Sequence, residues 1–149
     1  MSPSDWGPQV WCFFHTLAQK VKEEEYPRMR KQLFTLIYRI CMYLPCPECS
    51  QHATQFLNKI NPDSLKTKQD LINLLYIFHN VVNKRKSKQL YNSDGLNTYE
   101  NKNIINVYNN FVNVYNTKGN MNLIAESFQR NLILSDLKKW MMHNYNYFS

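Results

Sequence analysis

Five residues, Pro45-Cys46-Pro47-Glu48-Cys49, constrain the fold more than any others in the chain. The residue before a proline avoids the helical region, so Pro45 ends any helix that reaches it. A proline in the first turn of a helix loses no hydrogen bond, so Pro47 suits the start of the next one. Both flanks are helical in period. Leu33, Leu36, Ile37, Ile40, Cys41 and Leu44 form an apolar face before the break. Ala53, Phe56, Leu57 and Ile60 form another after it. A cysteine pair therefore opens a helix.

The same period recurs elsewhere. Ser4 or Asp5 can cap a first helix, whose apolar positions are Val10, Phe14, Leu17, Ala18 and Val21. Trp11 and His15 lie four apart on a neighbouring stripe. A charged stretch containing Pro27 leads into the second helix. Asn61-Pro62-Asp63 reads as a turn, and Thr67 with Asp70 as a capping box. A fourth helix carries Leu71, Leu74, Leu75, Phe78 and Val82 on one face, with His79, Asn80 and Asn83 beside it. Three glycines are too few for a turn-rich β or doubly wound fold. The expectation is an all-α four-helix bundle. Asn92-Ser93-Asp94-Gly95 marks a boundary, and residues 96–149 are expected to add two or three helices packed on the bundle. Their apolar positions are Ile105, Tyr108, Phe111, Val112 and Tyr115, then Ile124, Phe128 and Leu132, and less regularly Leu137, Trp140 and Met141. That periodicity argues against a disordered Asn-rich tail.

A net charge of +7 admits a nucleic-acid partner, but no aromatic-interleaved basic stripe or DNA-binding motif accompanies it. No nucleic acid is expected. The basic run from Lys84 to Lys88 reads either as a solvated helix end or as a phosphate site. The first residues show no secretory pattern, and the apolar run 33–45 is too short to span a bilayer. A cytoplasmic protein with no membrane span is expected. Four cysteines are too few for a disulfide scaffold, so the close pair points to redox chemistry or a metal. A helix N-terminus stabilises a thiolate, which favours redox. The alternative is a zinc-stabilised helical binding module, using Cys46, Cys49 and His52 with His15 or His79. The residues alone leave both open.

Three blocks, in order, resemble the Erv/ALR family of FAD-dependent sulfhydryl oxidases. They are Trp6-Gly7-Pro8 through Trp11 and His15, then Leu44-Pro45-Cys46-Pro47-Glu48-Cys49, then His79-Asn80-Val81-Val82-Asn83 with its basic tail. The stretch from Cys46 to Ala53 looks most like members encoded by large DNA viruses. The resemblance covers about residues 4–92, and it divides the chain into an oxidase domain, 1–95, and a helical extension, 96–149.

It implies a thiol oxidase that makes disulfides in protein substrates and passes the electrons through FAD to oxygen, giving hydrogen peroxide. FAD would lie inside the bundle. Cys49 would face it, and Cys46 would exchange with substrate. Gly7, Pro8, Trp11, His15, His79, Asn80, Val82 and Asn83 would line the cofactor. Lys88 first, then Lys86, would meet the pyrophosphate, and Tyr91 would lie near the adenine. His52 would tune the thiolate or touch the flavin, with a surface histidine as the equal alternative. No metal is expected.

The family's further disulfide on the last helix of the bundle is missing, because residues 50–149 hold no cysteine. Cys12 and Cys41 fall on apolar faces and read as two buried thiols rather than a shuttle pair. The implied partner is therefore an outside thiol protein, small and thioredoxin-like in kind. A homodimer, working in a host cytoplasm or virion if viral, completes the expectation.

Overall fold

The computed structural model describes residues 3–116 and 124–149, without the side chains of Pro3, Ser4 and Ile124. Its α-helices are α1 (Pro3–Lys20), α2 (Tyr26–Met42), α3 (Pro47–Asn58), α4 (Lys68–Arg85), α5 (Ile104–Tyr115) and α6 (Ile124–Asn144). Short 3-10 segments lie at Pro62–Ser64, Ser93–Asn101 and Tyr145–Tyr147. Extended pairing among the described residues is limited to an isolated bridge between Val21 and Phe148. The all-α expectation holds, and none of the described helices is long and apolar enough to cross a membrane.

Local chemistry accounts for most of the ends. α1 starts at Pro3, so Ser4 and Asp5 are inside it and do not cap it; Asp5 sits in the first turn, at the positive end of the dipole. α2 carries Pro27 in its first turn. It stops at Met42, ahead of Pro45, where the Tyr43 N–H donates to the Ile40 carbonyl. The capping box is present at α4, with Asp70 N–H on Thr67 Oγ1 at 3.1 Å and Thr67 N–H on Asp70 Oδ2 at 3.0 Å.

The core centres on α1. Phe13 stacks on Phe111 of α5 at 4.6 Å, while Trp11 meets Phe78 of α4 edge-on at 5.0 Å. Tyr115, at the end of α5, donates its hydroxyl to the Ile40 carbonyl of α2 at 3.0 Å. The chain's last residues return to α1, with Lys22 N–H on Tyr147 O and Ser149 N–H on Lys20 O.

Three expectations about buried faces need correction. α5 buries Ile104, Val107, Phe111 and Tyr115, which leaves Ile105 exposed. α6 buries Arg130, Ile133, Leu137 and Met141, and turns Phe128 and Leu132 to solvent. Two polar contacts to α2 accompany that rotation: Asp136 with Arg39 at 2.7 Å, and Trp140 Nε1 with Gln32 Oε1 at 2.9 Å. Cys41 is buried as expected, but Cys12 is only half-buried.

Phe111 and Phe128 should therefore behave differently. Phe111→Ala empties a fully buried site between Phe13 and Tyr115 and should cost about 3–5 kcal/mol. Phe128→Ala, at a side chain 61% exposed, should change stability by less than about 0.5 kcal/mol. Chemical denaturation of the two variants checks both. Equal losses would mean that the rotation of α6 is wrong.

Candidate redox site

Cys46 occupies the N-cap of α3 with extended backbone, and its sulfur accepts from the Cys49 N–H at 3.2 Å. The two cysteines are joined as a disulfide across a Cα–Cα distance of 5.2 Å. The approach to the pair is held by Ser50, whose N–H donates to the Cys46 carbonyl and whose Oγ accepts from Leu44 N–H at 2.8 Å. Cys46 is partly exposed, whereas Cys49 is 8% exposed and faces inward.

Cys49 opens onto a cavity of about 460 Å³. Its apolar wall comes from Trp6, Val10, Trp11 and Phe14 of α1, Cys41 and Leu44 near the end of α2, Ala53 of α3, and Phe78 and Val82 of α4. Arg85, Lys86 and Lys88 form a cationic rim, and Tyr99 closes another side. Lys86 Nζ stands 3.9 Å from Cys49 Sγ. Trp6 keeps its indole Nε1 buried with no hydrogen-bond partner.

Behind Trp11 lies a stack of rings. Trp11 and His79 are nearly parallel, with centroids 4.2 Å apart and an interplanar angle of 8°. His79 Nδ1 and His15 Nε2 are 2.9 Å apart; one carries the hydrogen and the other accepts it. Tyr91 stacks on both histidines. Asn80 fixes Tyr91 with two bonds, its Nδ2 donating to Tyr91 O at 3.1 Å and its Oδ1 accepting from Tyr91 N–H at 2.6 Å. Gly95 leaves room for that ring: a Cβ there would fall 2.8 Å from the Tyr91 hydroxyl.

Burial holds both histidines neutral. Desolvation, then His79, lowers His15 to about 3. Desolvation, then Lys88, lowers His79 to about 4. Desolvation, with a hydrogen bond to Tyr91, pushes the Tyr99 phenol up. Protonating both histidines would also turn two donors toward each other.

Of the residues singled out in the sequence, Gly7, Pro8, Trp11, Cys49, His79, Val82, Asn83, Lys86 and Lys88 line the cavity. His15, Asn80 and Tyr91 stand behind the wall and hold it. His52 is not on the wall; it lies half-exposed with Nε2 3.7 Å from Glu48, one turn earlier on α3. Cys46 is not on the wall and is partly exposed. Trp6, Phe14, Cys41, Arg85 and Tyr99 are wall residues that the sequence did not single out. The spacing of Trp6, Val10 and Phe14 at four-residue steps was the available signal for the first two. Among the described residues no group of three or more His, Cys, Asp or Glu side chains is placed to hold a metal ion. The candidate zinc ligands are turned elsewhere: the sulfurs bond each other, His15 bonds His79, and His52 faces Glu48.

A model of the Erv1 / Alr family matches residues 8–104, well over half of the chain and most of this site. The chain belongs to the Erv1/Alr family. It is similar to a protein of African swine fever virus named FAD-linked sulfhydryl oxidase, with 32% identity over 96 residues, covering 64% of this chain and 80% of that one. A mimivirus protein named probable FAD-linked sulfhydryl oxidase R368 is 31% identical over 94 residues, covering 60% of this chain and 64% of its own. An Arabidopsis thaliana protein named FAD-linked sulfhydryl oxidase ERV1 is 28% identical over 91 residues, covering 61% and 47%.

The neutral histidine pair makes a stability prediction. Unfolding lets both rings bind protons below their ordinary value of 6.5. Their contribution is complete above that value and is lost as pH falls toward about 4 and then about 3. For buried His15 the limiting slope is about 1.4 kcal/mol per pH unit, and His79, partly exposed, adds less. Urea denaturation from about pH 7.5 to about pH 4.5 should show stability falling with acid, and a His15→Leu, His79→Leu variant should be flatter. An equally steep profile in that variant would place the titrating groups elsewhere.

Proposed function

We propose that this chain is an FAD-dependent thiol oxidase that makes disulfides in protein substrates through Cys46 and Cys49. The observation that carries the reading is the asymmetric pair. One cysteine is partly exposed at a helix start, and the other is buried against an aromatic cavity in a chain of the Erv1/Alr family.

The wall residues fit the cofactor. The unpartnered Trp6 Nε1 offers a donor, the flat Trp11–His79 stack offers a face for an aromatic ring, and Arg85 and Lys88 offer cations for a phosphate. Gly7, Pro8, Val82 and Asn83 complete the wall, with His15, Asn80 and Tyr91 as its support. Those residues would hold FAD, which would supply the acceptor for two electrons and the route by which oxygen becomes hydrogen peroxide.

The chain's own residues do the thiol chemistry. A substrate thiolate attacks exposed Cys46, its dithiol partner then closes the substrate disulfide, and the electrons are left on the Cys46–Cys49 pair. The α3 N-terminus, which already donates to Cys46, stabilises charge on that sulfur. Aromatic walls keep water from Cys49. Residues 1–95 are read as the catalytic unit and 96–149 as the extension that buttresses it. The substrate is read as a small thiol protein of thioredoxin-like kind, because Cys12 and Cys41 are not a close pair. A homodimer, at work in the cytoplasm or in a virion if the chain is viral, belongs to the same reading.

Purified protein should be yellow and should consume oxygen with a dithiol. Cys46→Ser should keep its flavin, lose turnover and show a broad long-wavelength absorption band from the lone Cys49 thiolate. The band should fade with acid, and Cys49→Ser should lack it. A band in Cys49→Ser alone would reverse the inner and outer assignments. A colourless protein with stoichiometric zinc would end the oxidase reading.

A further inference from the structure

The helix start that stabilises Cys46 does not serve Cys49 in the same way. Cys46 is the N-cap and takes the Cys49 N–H itself. Cys49 lies further into α3 and points into an apolar wall, where a thiolate would need its own counter-charge. We propose that Lys86 is that counter-charge: its ammonium stabilises the thiolate that Cys49 becomes when the disulfide opens. This deepens the thiol-oxidase reading and rests on it for its biological meaning, but the chemistry belongs to the cysteine pair itself.

The geometry is direct. Lys86 Nζ is 3.9 Å from Cys49 Sγ on the cavity wall. Lys86 caps the C-terminus of α4, and the chain then turns sharply through Ser87, whose φ is +56°. Lys88 N–H closes the turn on the Asn83 carbonyl at 2.8 Å. The turn holds the Lys86 backbone in place opposite the start of α3.

Of the cations on the wall, Lys86 is the one in contact with Cys49 Sγ among the described residues; Arg85 is paired with Glu48, Lys88 lies further round the cavity turn, and the Tyr99 phenol stays protonated. From α1 the wall presents indole and phenyl rings, and from α2 the Cys41 thiol, which burial keeps protonated. His79 of α4 is held neutral. From α3 come Glu48 and His52, and Glu48 is shared between His52 at 3.7 Å and Arg85 at 3.9 Å. No carboxylate among the described residues is within ion-pair distance of Lys86. Burial, then Lys88 and Arg85, lowers its proton affinity, with Glu48 opposing them. An anion at Cys49 offsets that cost.

Lys86 therefore acts on one step. Substrate thiolate attacks Cys46 Sγ; the Cys46–Cys49 bond breaks, a substrate–Cys46 bond forms, and the electron pair leaves on Cys49. A better-stabilised leaving thiolate departs faster, and a stabilised reduced form makes the pair more oxidising. The disulfide itself is neutral and gains little. An opposite charge at this range raises the thiolate population about ten- to a thousandfold.

The test uses the full chain, with whatever flavin it carries, bearing Cys46→Ser and ¹³Cβ-labelled cysteine. The Cys49 signal is followed by NMR as pH is varied. Adding Lys86→Met should lower the thiolate fraction near neutral pH at least about tenfold, and Lys86→Arg should restore most of it. Lys84→Met, removing an exposed lysine two residues away, should change it less than about twofold. With both cysteines present, Lys86→Met should shift the glutathione equilibrium toward the disulfide by a similar factor. If Lys86→Met does not fold, judged by circular dichroism, Lys86→Gln makes the same comparison. A thiolate fraction unchanged by loss of Lys86, or changed as much by Lys84→Met, overturns the proposal. An absence of flavin and oxygen uptake in the parent chain would sink the oxidase reading and leave this titration standing.

Discussion

Across two turns of α1, from Phe13 to Gln19, every side chain is buried. A helix buried all round must be covered on every side. That constraint explains why the chain needs more than four helices. α4 covers the side bearing Trp11 and His15, and α5 covers the side bearing Phe13. The catalytic wall and the first helix of the C-terminal extension are thus opposite faces of one element. Tyr115 extends the link to α2, on the Ile40 carbonyl close to the end that leads into the cysteine pair.

Among these buried residues, His15 is polar and cannot be left without a partner. His79 supplies it, and the pair in turn sets where Trp11 stands. Support runs outward from there. Tyr91 braces the histidines, Asn80 anchors Tyr91 by its backbone, and Gly95 makes space for its ring. Polar residues on α4 that look like direct ligands in the sequence are partly scaffolding. Their work is to keep a flat aromatic surface in place beside a cavity.

Features that depend on local chemistry are legible in the amino-acid sequence. Pro45 and Pro47 frame a helix start at Cys46, and Thr67 with Asp70 forms the capping box. The Trp11, His15 and His79 motif brings the right helices together. Features set by long-range packing are not legible in this way. α6 offers two apolar stripes, and it is packing against the rest of the chain that buries Ile133, Leu137 and Met141 and leaves Phe128 out. On α5 the buried stripe begins at Ile104 rather than Ile105, a shift of one residue that periodicity cannot resolve. Tyr99 reaches the cavity from beyond the Asn92–Gly95 turn, so a boundary drawn there hides it. The meeting of Lys86 with Cys49 depends on how the end of α4 packs against the start of α3, which no local sequence pattern announces.

The same packing gives the two cysteines different work although they are three residues apart. A protein-sized thiol can reach a sulfur only where the backbone around it is open, and Cys46, at the helix cap, meets that condition. Cys49 is shielded by α1 and α4 and is open only to the cavity. Charge on either sulfur must also be stabilised where it forms. Backbone N–H groups at the α3 start do this for Cys46 without burying a side-chain charge. Cys49 instead meets a side chain from α4, with Lys86 Nζ 3.9 Å from its sulfur. Exchanging the two roles would put substrate against a closed wall and leave the exposed sulfur far from the rings. On the proposed reading electrons would pass from the helix cap inward, because the capping sulfur belongs to the more exposed residue of the pair.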